Sequence, residues 1–138
     1  MYRDADGLVT QIEYGDVAKT TTDFTYDNRR RVKTVQTHRG PPASWTTPST
    51  NYLPAPTYGT DPTTSFQLIL QDDEFSYDAV DNPVEIRDWR NPAEWPTSAK
   101  PVTRKMQYDD LNRVTQIEYQ YPTATGKDPW KSPFTADF

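Results

Sequence analysis

The hexapeptide Val-Thr-Gln-Ile-Glu-Tyr occurs twice in a chain of 138 residues, as Val9 to Tyr14 and as Val114 to Tyr119, each copy preceded at the same distance by an aspartate, Asp4 or Asp109. Internal repetition constrains a fold more than local propensity does, because each copy must be one supersecondary unit that is stable only against its neighbours. Two further segments join the alignment. Tyr26-Asp27 is followed by Val32 and Val35, and Tyr77-Asp78 by Pro83 and Ile86, at the offsets that separate Tyr108-Asp109 from Val114 and Ile117. The first copy is imperfect: Asp4, Gly7 and Ile12 fit, but Arg3 stands at the tyrosine position and Tyr2 lies one residue early.

Each copy reads as a β-hairpin. The residues before Tyr-Asp alternate apolar with polar (Phe24 and Tyr26, Phe75 and Tyr77, Met106 and Tyr108), the signature of a half-buried strand. The next residues are turn formers, and each stretch offers Gly, Asn or Asp near the position that needs positive φ: Ala5-Asp6-Gly7, Asn28-Arg29-Arg30, Ala79-Val80-Asp81-Asn82 and Asp110-Leu111-Asn112. A β-branched stretch then returns, through Val35, Val84 to Ile86 and Thr115 to Ile117. Val32 and Val35 are an odd number of residues apart and cannot share a face of a regular strand, so a bulge or an edge contact is expected there. An isolated hairpin is marginal in water, which requires the units to stack and pool a face of Tyr, Phe, Ile and Val.

The expected architecture is all-β: an antiparallel strip of stacked hairpins over residues 1–138, one domain or a segment of a larger one, with units near 2–15, 22–39, 66–90 and 103–121. The repeated aspartates are 23, 51 and 31 residues apart, so the excess must sit in insertions. Residues 40–64 carry six prolines among threonines, a composition incompatible with central strands, and residues 91–101 form a second insertion; both are expected as surface loops. Composition agrees, with 33% hydrophobic but 13% aromatic residues and 13 prolines, which disfavours a helical bundle. A net charge of only −5 also argues against charge-driven disorder.

These features resemble the YD-repeat, or Rhs-repeat, family, whose units carry a Tyr-Asp pair, a Gly or Asn turn and a short apolar strand. Tyr26-Asp27 to Val35, Tyr77-Asp78 to Val84 and Tyr108-Asp109 to Ile117 carry the likeness, which covers about half the chain. In that family the repeats build a long β-strip that spirals into a hollow shell, found in bacterial polymorphic toxins, the C component of insecticidal toxin complexes, and teneurins. The resemblance therefore implies a structural shell segment of a secreted or injected bacterial protein. Its expected partners are flanking repeats of the same shell, or another chain pairing at open β-edges, and an encapsulated toxin domain. Four units are too few to close such a shell.

Other chemistry is sparse. Zero cysteines exclude disulfides, thiolate metal sites and cysteine nucleophiles. A pI near 4.8 argues against nucleic acid, and Arg29-Arg30-Arg31, flanked by Asp23 and Asp27, reads as a solvated turn. The longest apolar run, Leu68 to Leu70, is far too short to span a bilayer, and Met1-Tyr2-Arg3-Asp4 lacks the regions of a signal peptide. His38, the one histidine, reads as a satisfied or exposed loop residue. Asp4, Asp6, Gly7 and Glu13 match part of a calcium loop, but Tyr2 stands where its first aspartate belongs and the aligned copy has Leu111 and Asn112, so a hairpin turn is the expectation. Asp72-Asp73-Glu74 reads as the solvated start of a strand, with only Asp72 and Glu74 on a common face. No catalytic, cofactor or metal residues are expected. The alternative function is a carbohydrate or cell-surface binding module using Trp45, Trp89, Trp95 and Trp130, which all lie in or beside the loops.

Overall fold

A computed structural model describes residues 1–40, 69–90, 101–121 and 134–138. They contain nine strands: β1 (Tyr2–Arg3), β2 (Val9–Glu13), β3 (Thr21–Tyr26), β4 (Val32–His38), β5 (Ile69–Tyr77), β6 (Pro83–Asp88), β7 (Thr103–Tyr108), β8 (Val114–Gln120) and β9 (Phe134–Asp137). All are antiparallel, their order in the sheet follows the chain, and none of the described residues is helical. The all-β strip of stacked hairpins is thus the observed fold. The two proline-rich insertions lie outside the described residues apart from their ends, of which Pro101 is fully buried. No helix among the described residues is long and apolar enough to cross a membrane.

The chain divides into two compact units, Met1–Asp72 and Asp73–Phe138. In the first, β1 pairs with β2, β2 with β3 and β3 with β4. Val35 is its buried centre on the sheet, facing Phe24 across the β3–β4 ladder, and Ile69 at the start of β5 is 2% exposed. Thr22 is buried as well, and its hydroxyl is hydrogen-bonded with Tyr14 on one side at 3.2 Å and with Thr37 on the other at 2.8 Å. Thr37 in turn donates to the Gln71 side-chain oxygen at 3.3 Å. This row of hydroxyls gives every buried oxygen in it a partner, so a polar stripe runs through the apolar face at little desolvation cost.

In the second unit the rest of β5 pairs with β6, and β6 to β9 follow as neighbours. Strand β7 shows the expected alternation, with Met106 and Tyr108 half-buried while Lys105 and Gln107 are exposed. Asp72 to Glu74 correct one expectation: they lie inside β5, and Asp73 is buried at 8% exposure, with Arg104 of β7 at 3.8 Å. A solvated start of a strand does not describe a carboxylate covered by the sheet and faced by a guanidinium.

Candidate functional site

The feature the four copies share is a turn held by one carboxylate. In each, the backbone N–H of the aspartate donates to the carbonyl four residues on, and the N–H three residues on donates back to the aspartate carbonyl: Asp4 with Leu8 and Gly7, Asp27 with Arg31 and Arg30, Asp78 with Asn82 and Asp81, Asp109 with Arg113 and Asn112. This is a three-residue hairpin loop, a type I turn closed by a left-handed residue. The left-handed residue is Gly7, Arg30, Asp81 and Asn112, at φ 81°, 65°, 74° and 60°. In the second copy the strained position thus falls on Arg30 rather than Asn28.

The same oxygen of each aspartate accepts two further backbone N–H groups of its turn, from residues two and four ahead. Oδ1 of Asp4 takes Asp6 and Leu8, Asp27 takes Arg29 and Arg31, Asp78 takes Val80 and Asn82, and Asp109 takes Leu111 and Arg113, all between 2.8 and 3.0 Å. In three of the four copies the second oxygen is held by a side chain four residues on: Arg31 Nε at 2.7 Å, Asn82 Nδ2 at 3.0 Å and Arg113 Nε at 2.7 Å. The Arg31 side-chain bond, with the turn amides, holds the Asp27 carboxyl below the usual carboxylate range against the opposing effect of burial; at Asp109 the Arg113 backbone bond and then its side chain do the same. Asn at the aspartate position would keep one acceptor oxygen but lose the charge that strengthens all these bonds.

After the turn, every copy has the same irregularity. Tyr26 faces Val32 while Thr25 faces Thr34, Tyr77 faces Pro83 while Ser76 faces Glu85, Tyr108 faces Val114 while Gln107 faces Gln116, and Arg3 faces Val9 while Tyr2 faces Gln11. One residue of the returning strand is therefore extra in each hairpin, which is the bulge that the odd Val32 to Val35 spacing required. Its consequence is that Val32 and Val35 do share a face, as do Pro83 and Ile86, and Val114 and Ile117. Arg3 occupies the register position of the tyrosines, so the imperfect first copy is a true one, and the exposed Tyr2 lies on the other face.

Within each unit, copies then join sideways in one way. Tyr26 donates its hydroxyl to Val9 O at 2.7 Å, and Tyr108 donates to Pro83 O at 2.9 Å. Val9 and Pro83 hold the same place, five residues beyond the aspartate of the preceding copy, where the bulge distorts the ladder. Burial, and then the Asp78 charge, raise the Tyr108 hydroxyl above the ordinary phenol value. The sheet ladders between copies repeat as well: Gln11 faces Asp23 as Glu85 faces Lys105, and Ile12 faces Thr22 as Ile86 faces Arg104. Neighbouring turns touch too, through Arg30 Nη2 to Asp6 O at 2.9 Å and Asn82 Nδ2 to Asn112 Oδ1 at 3.0 Å. Tyr26-Asp27 and Tyr108-Asp109 are thus two devices side by side: the aspartate builds its own turn, and the tyrosine fastens that hairpin to the one before it.

The remaining candidates fall elsewhere. The Asp4 carboxylate is committed to turn amides, and Glu13 lies in β2 with Tyr2 at 3.4 Å, so the partial calcium pattern is a hairpin turn. Among the described residues no group of three or more His, Asp or Glu side chains could hold a metal ion. His38 ends β4 with Nε2 at 2.9 Å from Asp23, whose other oxygen accepts from Gln11 at 2.8 Å. Trp89 is 50% exposed, donates its indole N–H to Glu74 at 2.8 Å, and carries the Arg87 guanidinium 3.7 Å from its ring centroid. Trp45, Trp95 and Trp130 lie outside the described residues. A second carboxylate turn went unread in the sequence: Asp16 closes the β2–β3 connection, accepting from the Thr20 hydroxyl and N–H at 2.6 Å each, with Lys19 at φ 53°. Its signal was the aspartate four residues ahead of a β-branched run, without a tyrosine before it. No protein-family model and no curated protein matches this chain.

Proposed function

We propose that this chain is a wall segment of a Tyr-Asp repeat protein of the bacterial toxin type, contributing strands to a β-shell that encapsulates or presents a toxin domain and is secreted or injected. It does no catalysis of its own in this reading; its partners are flanking repeats and the enclosed domain. One observation carries most of the weight: four hairpins share one turn, one bulge and one register, and within each unit the neighbouring copies are fastened by the same tyrosine-to-carbonyl bond. A unit that passes its fastening to the next copy extends indefinitely at constant geometry, as a wall requires and a self-contained binding module does not. The half-buried state of Phe24, Phe75 and Met106 supports the same reading, because a single-layered sheet leaves its apolar face for an interior. The test is the reading frame that encodes the chain, with electron microscopy of its full product. Further Tyr-Asp units followed by an unrelated C-terminal domain, in a hollow particle, are the expected result; a frame holding these four units and no others would defeat the proposal.

A second reading, carbohydrate or cell-surface binding, rests on Trp89, whose ring is half exposed beside Glu74. Arg87 already covers one face of that ring, which weakens it. Titration of wild type and Trp89→Phe with a glycan panel, followed by tryptophan fluorescence, decides it: a saturable change confined to the wild type supports the reading, and silence in both removes it.

A further inference from the structure

The register of β9 identifies it as part of the same series. Gln116 of β8 faces Asp137, Ile117 faces Ala136 and Glu118 faces Thr135. Gln116 holds the place of Gln11 and Glu85, seven residues beyond the repeat aspartate, and those residues face Asp23 and Lys105, each four residues before the aspartate of the next copy. Asp137 therefore stands where Asp23 and Lys105 stand. The sequence agrees residue by residue: Thr135-Ala136-Asp137-Phe138 superposes on Thr21-Thr22-Asp23-Phe24 with three identities in four. Phe138 falls on the position of Phe24, Phe75 and Met106, and its N–H donates to Thr115 O at 2.9 Å.

Those counterparts are half-buried, whereas Phe138 is 77% exposed. The difference has a local cause. Phe24, Phe75 and Met106 each face a β-branched residue of their own returning strand, Val35, Ile86 and Ile117, and Phe138 has no such neighbour among the described residues. Val114, likewise, holds the place of Val9 and Pro83, whose carbonyls receive the tyrosine of the following copy.

We propose that β9 is the first arm of a fifth hairpin unit and that its outer edge is a docking edge for the second arm of that unit. The occupant has a defined chemistry: a tyrosine two residues beyond Phe138 that donates to Val114 O, an aspartate turn after it, and a returning strand with Val or Ile placed opposite Phe138. This rests on the repeat-wall reading and adds to it the direction of growth and the two atoms that receive the next unit. Thr135, Asp137 and Phe138, with Val114 O beside them, are the acceptor end of the strip.

The experiment appends this chain's own Thr25–Gln36 segment directly after Phe138, which places Tyr26 and Val35 of the graft at the required positions. Hydrogen exchange at β9 is compared with that of the unextended chain. Slowing of the 135–138 amides by about tenfold, lost when the graft tyrosine is changed to Phe or when one Gly inserted after Phe138 shifts the register, is the expected result. Equal exchange with and without the graft, or slowing indifferent to the inserted Gly, overturns the proposal. Tyr26→Phe and Tyr108→Phe in the unextended chain separate the two readings. If they loosen their own strands while the graft gains nothing, β9 is not a fifth unit and the wall reading stands; if they too are silent, the fastening itself fails and takes the wall reading with it.

Discussion

Replacing Tyr108 by Phe removes one oxygen and leaves the ring. The hydroxyl donates to Pro83 O at 2.9 Å in a half-buried setting. An intramolecular hydrogen bond contributes ~0.5–1.5 kcal/mol net, and water can reach a half-buried carbonyl once the hydroxyl is gone, so the loss should be about 1 kcal/mol. For a chain of this size that is a fall of roughly 3–5 °C in Tm. Tyr26→Phe, which loses the equivalent bond to Val9 O, should cost the same. The two tyrosines share no partner, so the double variant should be additive within ~0.5 kcal/mol. Urea unfolding followed by tryptophan fluorescence and far-ultraviolet circular dichroism gives the values. Alkaline titration adds a second readout. The Tyr108 hydroxyl is raised in the folded state, so its contribution is intact below the ordinary phenol value and disappears as pH rises through the raised one; Tyr108→Phe should lack that alkaline loss. Both Phe variants unfolding within ~0.3 kcal/mol of the wild type would refute the view that tyrosine fastens one hairpin to the previous one.

Three further outcomes follow from the turns and the polar row. Asp27 and Asp109 are held below the usual carboxylate range, so their contribution is complete above about pH 4 and is lost as pH falls through the lowered values; an Asp27→Asn, Asp109→Asn variant should be less stable at pH 7 and show a flatter acid limb in pH-dependent melting. Gly7 sits at φ 81° with open space where a Cβ would go, so Gly7→Ala should cost about 1 kcal/mol from backbone conformation alone, and Arg30→Gly should gain a similar amount less its bond to Asp6 O; denaturant midpoints with unchanged m-values test both. Thr22→Val keeps the shape but removes the hydroxyl between Tyr14 and Thr37, and should cost about 1–2 kcal/mol by the same assay.

Much of this architecture was legible because strand, turn and bulge are written at fixed offsets from one aspartate. The alternation of Phe24 with Tyr26 and of Met106 with Tyr108 reports a period of two, and the odd step from Val32 to Val35 reports the extra residue, since no regular strand can bury both. Other features depended on partners that the sequence does not place. Arg30 takes the left-handed position because the loop geometry demands it three residues after the aspartate, whatever side chain is there, and local preference pointed to Asn28. Asp73 looked solvated in a run of three acids, but burial in a strand is set by what lies across the sheet, here Arg104 thirty-one positions away in sequence. The tyrosine-to-carbonyl fastening was invisible for a related reason: its acceptor is a backbone atom, and a backbone atom carries no residue code. Strand β9 escaped notice because its four residues stop short of a Tyr-Asp pair, and only the pairing with β8 discloses its place in the series.

One register is shared by all copies, and inter-strand nuclear Overhauser contacts measure it directly in the labelled chain. Cross-strand proximities are expected for Tyr26 with Val32, Tyr77 with Pro83 and Tyr108 with Val114, together with Gln11 to Asp23 and Glu85 to Lys105 between adjacent hairpins. Registers that differ from copy to copy, or hairpins with no contacts to the next one along within either unit, would contradict it.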